Sequence, residues 1–224
     1  LAGHLYACLR EENPFRFPYL GLVVSGGHTE FVRMPDHHTF EIIGSTRDDA
    51  AGEAFDKVAT LLGLPYPGGP SISAAAETGD PKAIDFPRAM LDQDNLDVSF
   101  SGLKTAVRLE SERGTLTKRR VADIAASFQA AVVETLVRKS RSALRRYPAA
   151  AFLLGGGVAA NGALRTSMQD MLAEEGVELL VSPPELSTDN AAMIGLAAFW
   201  QKDSAVTPDH ALSATPDPQA GLSR

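Results

Sequence analysis

Phe152-Leu-Leu154 runs without a break into Gly155-Gly-Gly157 and on through Val-Ala-Ala to Asn161-Gly162. No other feature limits the fold so strongly. A short apolar run bounded by turn residues reads as a strand buried on both faces. Glycines at its exit let the backbone turn into a helix, here expected over about residues 162–175. Strand, glycine bend and helix in that order make the local unit of an α/β sheet, in which ligands collect at the carboxyl ends of the strands. The bend does not read G-x-G-x-x-G and carries no G-K-[ST], so it is neither a dinucleotide fingerprint nor a P-loop. Backbone without side chains admits a flat base or a ribose, and Asn161 either bonds such a ligand or caps the helix.

The rest of the chain agrees with that class. Leu20-Gly-Leu-Val-Val24 is a second buried strand, entering a turn at Ser25-Gly-Gly27. Residues 29–33 and 40–43 continue it as an antiparallel meander. Residues 48–62 switch to helical spacing, with Ala51, Phe55, Val58, Ala59 and Leu62 on one face. Pro65-Tyr-Pro-Gly-Gly-Pro70 ends that helix, and a short one follows near residues 72–77. Residues 79–95 read as loop, 98–102 as a short strand and turn, and 103–112 as a helix. The longest helix is expected over 121–147, where Ile124, Phe128, Val132 and Leu136 recur every four residues. Residues 178–181 are a further strand. Residues 189–200 form a last helix, with Ser187, Thr188 or Asp189 available as its cap. Residues 203–224 hold three prolines and are expected to form a flexible tail. The chain opens on Leu1, and residues 1–9 are already amphipathic, which predicts a helix beginning upstream and a sequence that is a fragment.

Hydrophobic residues are 44% and charged residues 22%, which fits a soluble globular chain and excludes a disordered polymer, a collagen-like repeat and a disulfide scaffold. No run of about 18 apolar residues is present, so no transmembrane helix is expected. The lone Cys8 has no partner within the chain, which fits a reducing cytoplasm. With 28 acidic against 21 basic residues the net charge is −7, so the basic residues Lys118, Arg119, Arg120, Arg138, Arg141 and Arg145 are a local patch. They are either a solvated helix end or contacts to RNA phosphates.

Several polar segments are candidates for chemistry. Ser25-Gly-Gly-His28-Thr29 turns the chain after a strand, either as a plain hairpin or with its N–H groups turned to an anion. Asp49, Glu53 and Asp56 are spaced to share one helical face, either solvated beside Lys57 or bonding sugar hydroxyls. His4 is either a packing histidine or one half of a helical metal pair whose partner would fall just before Leu1, and Asp189 either caps the last helix or ligates a metal.

Read in order, GHL at 3–5, VSGGHT at 24–29, DDAAGEAFDK at 48–57, YPGGP at 66–70, VSFSGLKT at 98–105, GGGVAAN at 155–161 and STDNAAMIG at 187–195 resemble the tRNA adenosine threonylcarbamoyltransferase family. These are the TsaD-type proteins, once described as glycoproteases, and the resemblance runs from residue 1 to about residue 200. It implies the actin, Hsp70 and sugar-kinase-like (ASKHA) α/β fold, of which this chain holds mostly the second lobe. Residues 1–18 would end the first lobe, 19–188 form the second, and 189–202 return to the first. The implied activity is that of a cytoplasmic acyltransferase. It moves the threonylcarbamoyl group from threonylcarbamoyl-adenylate to N6 of adenosine 37 in tRNAs reading codons that begin with A. The implied partners are tRNA, a TsaB-type paralogue and a TsaE-type ATPase, with no membrane.

The resemblance also implies residue roles. His4 and Asp189 match ligands of one divalent metal, iron rather than zinc. Val23, Val24, Ser25, Gly26 and Gly27 match the donor-binding loop. Asp56 matches a carboxylate for a ribose hydroxyl, Gly69 a glycine beside that ribose, and Asn161 a contact to the adenylate. No residue is assigned as the general base. The alternative is a non-catalytic truncated scaffold or binding module of the same complex. A helical zinc protease would need His-Glu-x-x-His, of which only Ala2-Gly3-His4 stands in this sequence.

Overall fold

A computed structural model of the chain describes residues 1–10 and 14–202; the expected tail over 203–224 lies outside the described residues. The strands are β1 (Tyr19–Val24), β2 (Thr29–Met34), β3 (Glu41–Ser45), β4 (Ala151–Gly155) and β5 (Glu178–Val181). The helices are α1 (Ala2–Cys8), α2 (Ala51–Leu61), α3 (Gly68–Ala76), α4 (Ser101–Glu112), α5 (Lys118–Arg146), α6 (Gly162–Glu174), α7 (Pro184–Ser187) and α8 (Ala191–Trp200). A 3-10 turn, Gly157–Ala160, joins β4 to α6.

The strands form one sheet in the order β3-β2-β1-β4-β5. The meander β1-β2-β3 is antiparallel, while β1 pairs with β4, and β4 with β5, in parallel. At the centre Leu22 stands opposite Phe31 on one side and Leu154 on the other. β1 and β4 are buried along their whole length, which is why they read as unbroken apolar runs rather than alternating ones.

Successive side chains of a strand point to opposite faces, and each face has its own core. Leu20, Leu22, Val24, Phe152 and Leu154 pack with Phe55, Phe128 and the rest of α2, α5 and α6. Tyr19, Val23, Ala151 and Leu153 pack with Leu5, Tyr6, Leu9 and Ala197, so α1 and α8 cover the other face. Along α5 the expected stripe Ile124, Phe128, Val132 and Leu136 is fully buried; each such side chain stabilises the fold by roughly 1.5–3 kcal/mol. Lys139 on the same helix is also buried. Its ammonium donates to the carbonyls of Asn95 at 2.7 Å and Gln93 at 3.4 Å and so ties the long 79–97 connection to α5. Burial pulls the pKa of Lys139 below that of an ordinary lysine.

Three expectations are corrected. Val98 makes a single parallel bridge to Thr46 rather than a strand, and α4 already begins at Ser101. The cause is Asp48, which accepts the N–H groups of Phe100 at 2.8 Å and Ser101 at 3.1 Å and caps α4 from outside the helix. Burial would raise the pKa of Asp48, but these bonds and those from the Ser99 and Ser101 hydroxyls outweigh it and hold the carboxyl below its usual range. The last helix starts at Ala191 and is capped by Asn190, whose side chain accepts from the Met193 N–H at 2.9 Å, not by Ser187, Thr188 or Asp189. Residues 184–187 form the separate turn α7, with Pro184 at its first position, where a missing N–H costs nothing. Among the described residues no helix is long and apolar enough to cross a membrane.

Gly156 marks a close approach between the exits of β1 and β4. Its φ is +95°, and an added Cβ would lie 2.3 Å from the Val24 carbonyl oxygen. Gly156→Ala is therefore expected to cost about 3 kcal/mol or more. Gly102, in α4, has open space around an added Cβ, and Gly102→Ala should raise stability by roughly 0.5–1 kcal/mol. Urea unfolding reads both; equal midpoints for the two variants would contradict this packing. Cys8 is buried, and burial pushes its thiol up to about 12. At pH 8 only about one thiol in ten thousand is then ionised. Iodoacetamide should leave the native protein unlabelled at pH 8 and label it in urea; fast labelling of the native protein would show the site to be open.

Candidate functional site

β1 and β4 end side by side, with Val23 opposite Gly155. The chain leaves β1 through Ser25, whose N–H donates to the His28 carbonyl at 2.8 Å and whose hydroxyl accepts from the N–H groups of Gly27 at 3.3 Å and His28 at 3.1 Å. Below this loop the Gly52 N–H donates to the Ser25 carbonyl at 3.1 Å, which seats the start of α2 against it. The chain leaves β4 through Gly155, Gly156 and Gly157. Between these bends, α2 and the start of α3 lies a cleft of about 470 Å³, lined among others by Gly26, Asp56, Gly69, Gly157, Asn161 and Thr188. That volume falls in the range that holds a nucleotide-sized ligand. Cβ atoms added at Gly26 and Gly69 would meet nothing within 4 Å, so both glycines leave open space at the wall.

Two of the polar candidates in the cleft are already bonded to the protein. Asp56 Oδ1 accepts the Gly68 N–H at 2.7 Å, placing a carboxylate at the start of α3, where exposed N–H groups and the helix dipole favour an anion. Asn161 caps α6: its Oδ1 accepts the Leu164 N–H at 2.9 Å. Its Nδ2 donates to Ser73 Oγ at 2.9 Å and to Gln129 Oε1 at 2.8 Å. Asn161 is thus a cap and a member of a side-chain network together, where sequence alone left cap and ligand contact as alternatives.

His4 and Asp189, far apart in sequence, come together beside the cleft. His4 Nε2 lies 3.3 Å from Asp189 Oδ1, and Thr188, the neighbour of Asp189, lines the cleft. His4 is buried and Asp189 almost fully exposed. Burial, opposed by Asp189, lowers the pKa of His4 and so favours the neutral imidazole, the form that binds metal. His4 Nδ1 is buried and has no hydrogen-bond partner. Two donors of a tetrahedral ion with bonds of about 2.0–2.1 Å stand about 3.3 Å apart, so a neutral imidazole and a carboxylate at this spacing fit two positions on one ion. Among the described residues no group of three or more His, Cys, Asp or Glu side chains gathers to hold a metal.

Other candidates do not converge on the cleft. Val23 and Val24 are buried inside β1, so their side chains belong to the two cores and only the loop after them reaches the cleft. Asp49 binds Lys57 at 2.8 Å and Lys104 at 2.6 Å, and Glu53 binds Lys57 at 2.7 Å, so the acidic face is an ionic cluster separate from Asp56. Burial works against ionisation of Asp49, but the two ammonium groups prevail and lower its pKa. The basic stripe is largely offset by acids: Arg138 meets Glu134, Arg141 meets Glu174 and Glu175, Arg145 meets Glu175, and Arg146 meets Asp94. Sequence reading missed Ser73, Tyr66 and Gln129. Tyr66, 84% exposed at the cleft, carried a signal as an aromatic inside a proline-glycine loop. Gln129 carried none, standing as one polar residue beside an apolar stripe.

The family model for tRNA N6-adenosine threonylcarbamoyltransferase (TsaD) matches residues 1–196. The protein of that description from Moorella thermoacetica is 51% identical over 219 residues, covering 97% of this chain and 64% of that protein. The one from Halalkalibacterium halodurans is 51% identical over 202 residues, covering 88% of this chain and 58% of that protein. The chain thus spans about three fifths of the length of these curated relatives. Among solved structures, full-length HypF in its phosphate- and nucleotide-bound form has a TM-score of 0.69 at 15% identity, covering 90% of this chain and 35% of HypF. HypF of T. kodakarensis has a TM-score of 0.66 at 12% identity, covering 88% and 36%. At such low identity these likenesses bear on the fold alone, which is the α/β fold of the actin, Hsp70 and sugar-kinase class. Matched over nearly its whole length by the family model and at half identity by curated members, the chain belongs to the tRNA N6-adenosine threonylcarbamoyltransferase family.

Proposed function

We propose that this protein transfers the threonylcarbamoyl group of threonylcarbamoyl-adenylate to N6 of adenosine 37 in tRNAs reading codons that begin with A. The observation that carries this reading is the convergence of Gly26, Asp56, Gly69 and Asn161 on one nucleotide-sized cleft, with His4 and Asp189 beside it. In the reaction the adenine amine attacks the carbamoyl carbon. A C–N bond forms, the C–O bond to the phosphate breaks, AMP leaves with the electron pair, and the amine gives up one proton.

The residues divide this work. The N–H groups of the Ser25–Gly27 loop meet the phosphate or carbamoyl group, as amides at a strand exit are suited to do. Asp56 keeps one carboxylate oxygen beyond the one given to Gly68, and that oxygen accepts from a ribose hydroxyl. Gly69 leaves room for the ribose. Both amide hydrogens of Asn161 are spent on Ser73 and Gln129, so its contact to the adenylate is through Oδ1. His4 and Asp189 hold one divalent metal, iron in preference to zinc, which when bound supplies a Lewis acid for the carbonyl. The reaction takes place in the cytoplasm with a TsaB-type paralogue and a TsaE-type ATPase as partners. On the lobe assignment proposed here, residues 1–18 end the first lobe, 19–188 form the second and 189–202 return to the first.

The test is modification of tRNA by the intact protein with its partners and donor, read by mass spectrometry of the digested nucleosides. Asp189→Ala should abolish the product and lower the bound metal. Asp56→Ala should raise the donor KM roughly tenfold or more, the usual size for a lost hydrogen bond to a charged group. Full product from Asp189→Ala would remove that residue from the site. No product from the unaltered protein, with partner binding intact, would favour the scaffold reading.

A further inference from the structure

Gln129 sits in the middle of α5, next to the buried Phe128. Its Oε1 accepts from Asn161 Nδ2 at 2.8 Å and from Ser73 Oγ at 2.9 Å. Asn161 Nδ2 also donates to Ser73 Oγ at 2.9 Å, which closes a triangle of three side chains. The triangle joins α3, α5 and the start of α6. Ser73 and Asn161 both line the cleft.

The donor and acceptor count is restrictive. A carboxamide nitrogen has two hydrogens, and Asn161 spends both. A carbonyl oxygen has two lone pairs, and Gln129 Oε1 uses both. A hydroxyl has one hydrogen and two lone pairs; Ser73 gives the hydrogen to Gln129 and one lone pair to Asn161. What the network leaves for the cleft is one lone pair on Ser73 and one on Asn161 Oδ1. Both are acceptors.

We propose that Gln129 is the positioning residue of the cleft: its single carbonyl oxygen orients Asn161 and Ser73 so that they offer acceptors alone, selecting a ligand that presents a hydroxyl or amino donor. The nature of that ligand rests on the transferase reading, in which the donor's AMP half carries both a 6-amino group and ribose hydroxyls. The hydrogen-bond network does not rest on it. Gln129 is carried by α5, whose apolar stripe is buried in the core, so the two walls of the cleft are held to a rigid element, the arrangement that keeps a binding geometry within tolerance.

The experiment uses the intact protein with Gln129→Leu, which keeps the bulk and removes the acceptor, and Gln129→Glu, which restores an acceptor. Ser73→Ala is a further variant that leaves α5 untouched. The readouts are hydrogen exchange of the Asn161 side-chain amide by NMR, the Kd for 5′-AMP, and Tm. Gln129→Leu should end the slow exchange of the Asn161 amide and raise the AMP Kd about tenfold, the usual size for two lost neutral hydrogen bonds. Gln129→Glu should return both toward the unaltered values, and Ser73→Ala should move both in the same direction by less. In the unaltered protein, purine riboside 5′-monophosphate or 2′,3′-dideoxy-AMP should bind about tenfold more weakly than AMP, since each lacks one class of donor. Unchanged exchange and unchanged Kd in Gln129→Leu would overturn the proposal. A lower Tm with an unaltered AMP Kd would reduce Gln129 to a structural role and overturn it equally. Equal binding of all three nucleotides would overturn the acceptor rule. Failure of the unaltered protein to bind AMP would sink the transferase reading and the ligand half of the proposal, while the exchange readout still decides the network.

Discussion

The parallel pairing of β1 with β4 is the constraint from which the rest of the structure follows. It brings two strands far apart in the sequence to the same level, so Ser25-Gly26 and Gly156-Gly157 leave the sheet side by side. The two bends are in van der Waals contact, and Gly156 is in a left-handed conformation against the Val24 carbonyl. A side chain at that point would push the bends apart and open the cleft between them. Because both strands are buried on both faces, the sheet needs helices above and below it. α2, α5 and α6 supply one cover, α1 and α8 the other. The second cover carries His4 and delivers Asp189 at the entry to α8, so the layer that buries the sheet also carries the candidate metal pair.

Around the cleft, polar side chains bond the protein before they are offered to a ligand. Asp56 receives the Gly68 N–H, and Asn161 caps α6 and joins Ser73 and Gln129. Such bonds fix rotamers, so little reordering remains to be done when a ligand arrives. They also reduce what each group offers: one oxygen of Asp56, one lone pair of Asn161. Elsewhere on the surface the same economy of charge holds. The arginines near the end of α5 face glutamates and aspartates, which leaves a charge pattern more balanced than the count of basic residues in that stretch suggests.

Much of this was legible in the residues. The continuous apolar runs of β1 and β4, the four-residue stripe of α5 and the glycines at both strand exits follow from local preferences, and those preferences agree with the tertiary contacts. The motifs that pointed to the family were local as well, and so were Gly26, Asp56, Gly69 and Asn161 as candidates. The helix ends were less legible. α4 starts earlier than its own residues indicate because its cap, Asp48, is supplied from 53 residues away. The cap of α8 shifted to Asn190 because Pro184 opens a separate turn just before it.

The sequence by itself determined the order of the five sheet strands and of the main helices, the two apolar faces and the positions where a backbone without side chains was needed, because each depends on neighbours within a few residues. Only the tertiary structure decided which carboxylate of the acidic segment reaches the cleft, that Val23 and Val24 turn into the cores, that His4 meets Asp189, and that Gln129 holds Asn161. The last two of these join residues 185 and 32 apart, and the strand pairing that brings such residues together leaves no periodic trace in the chain.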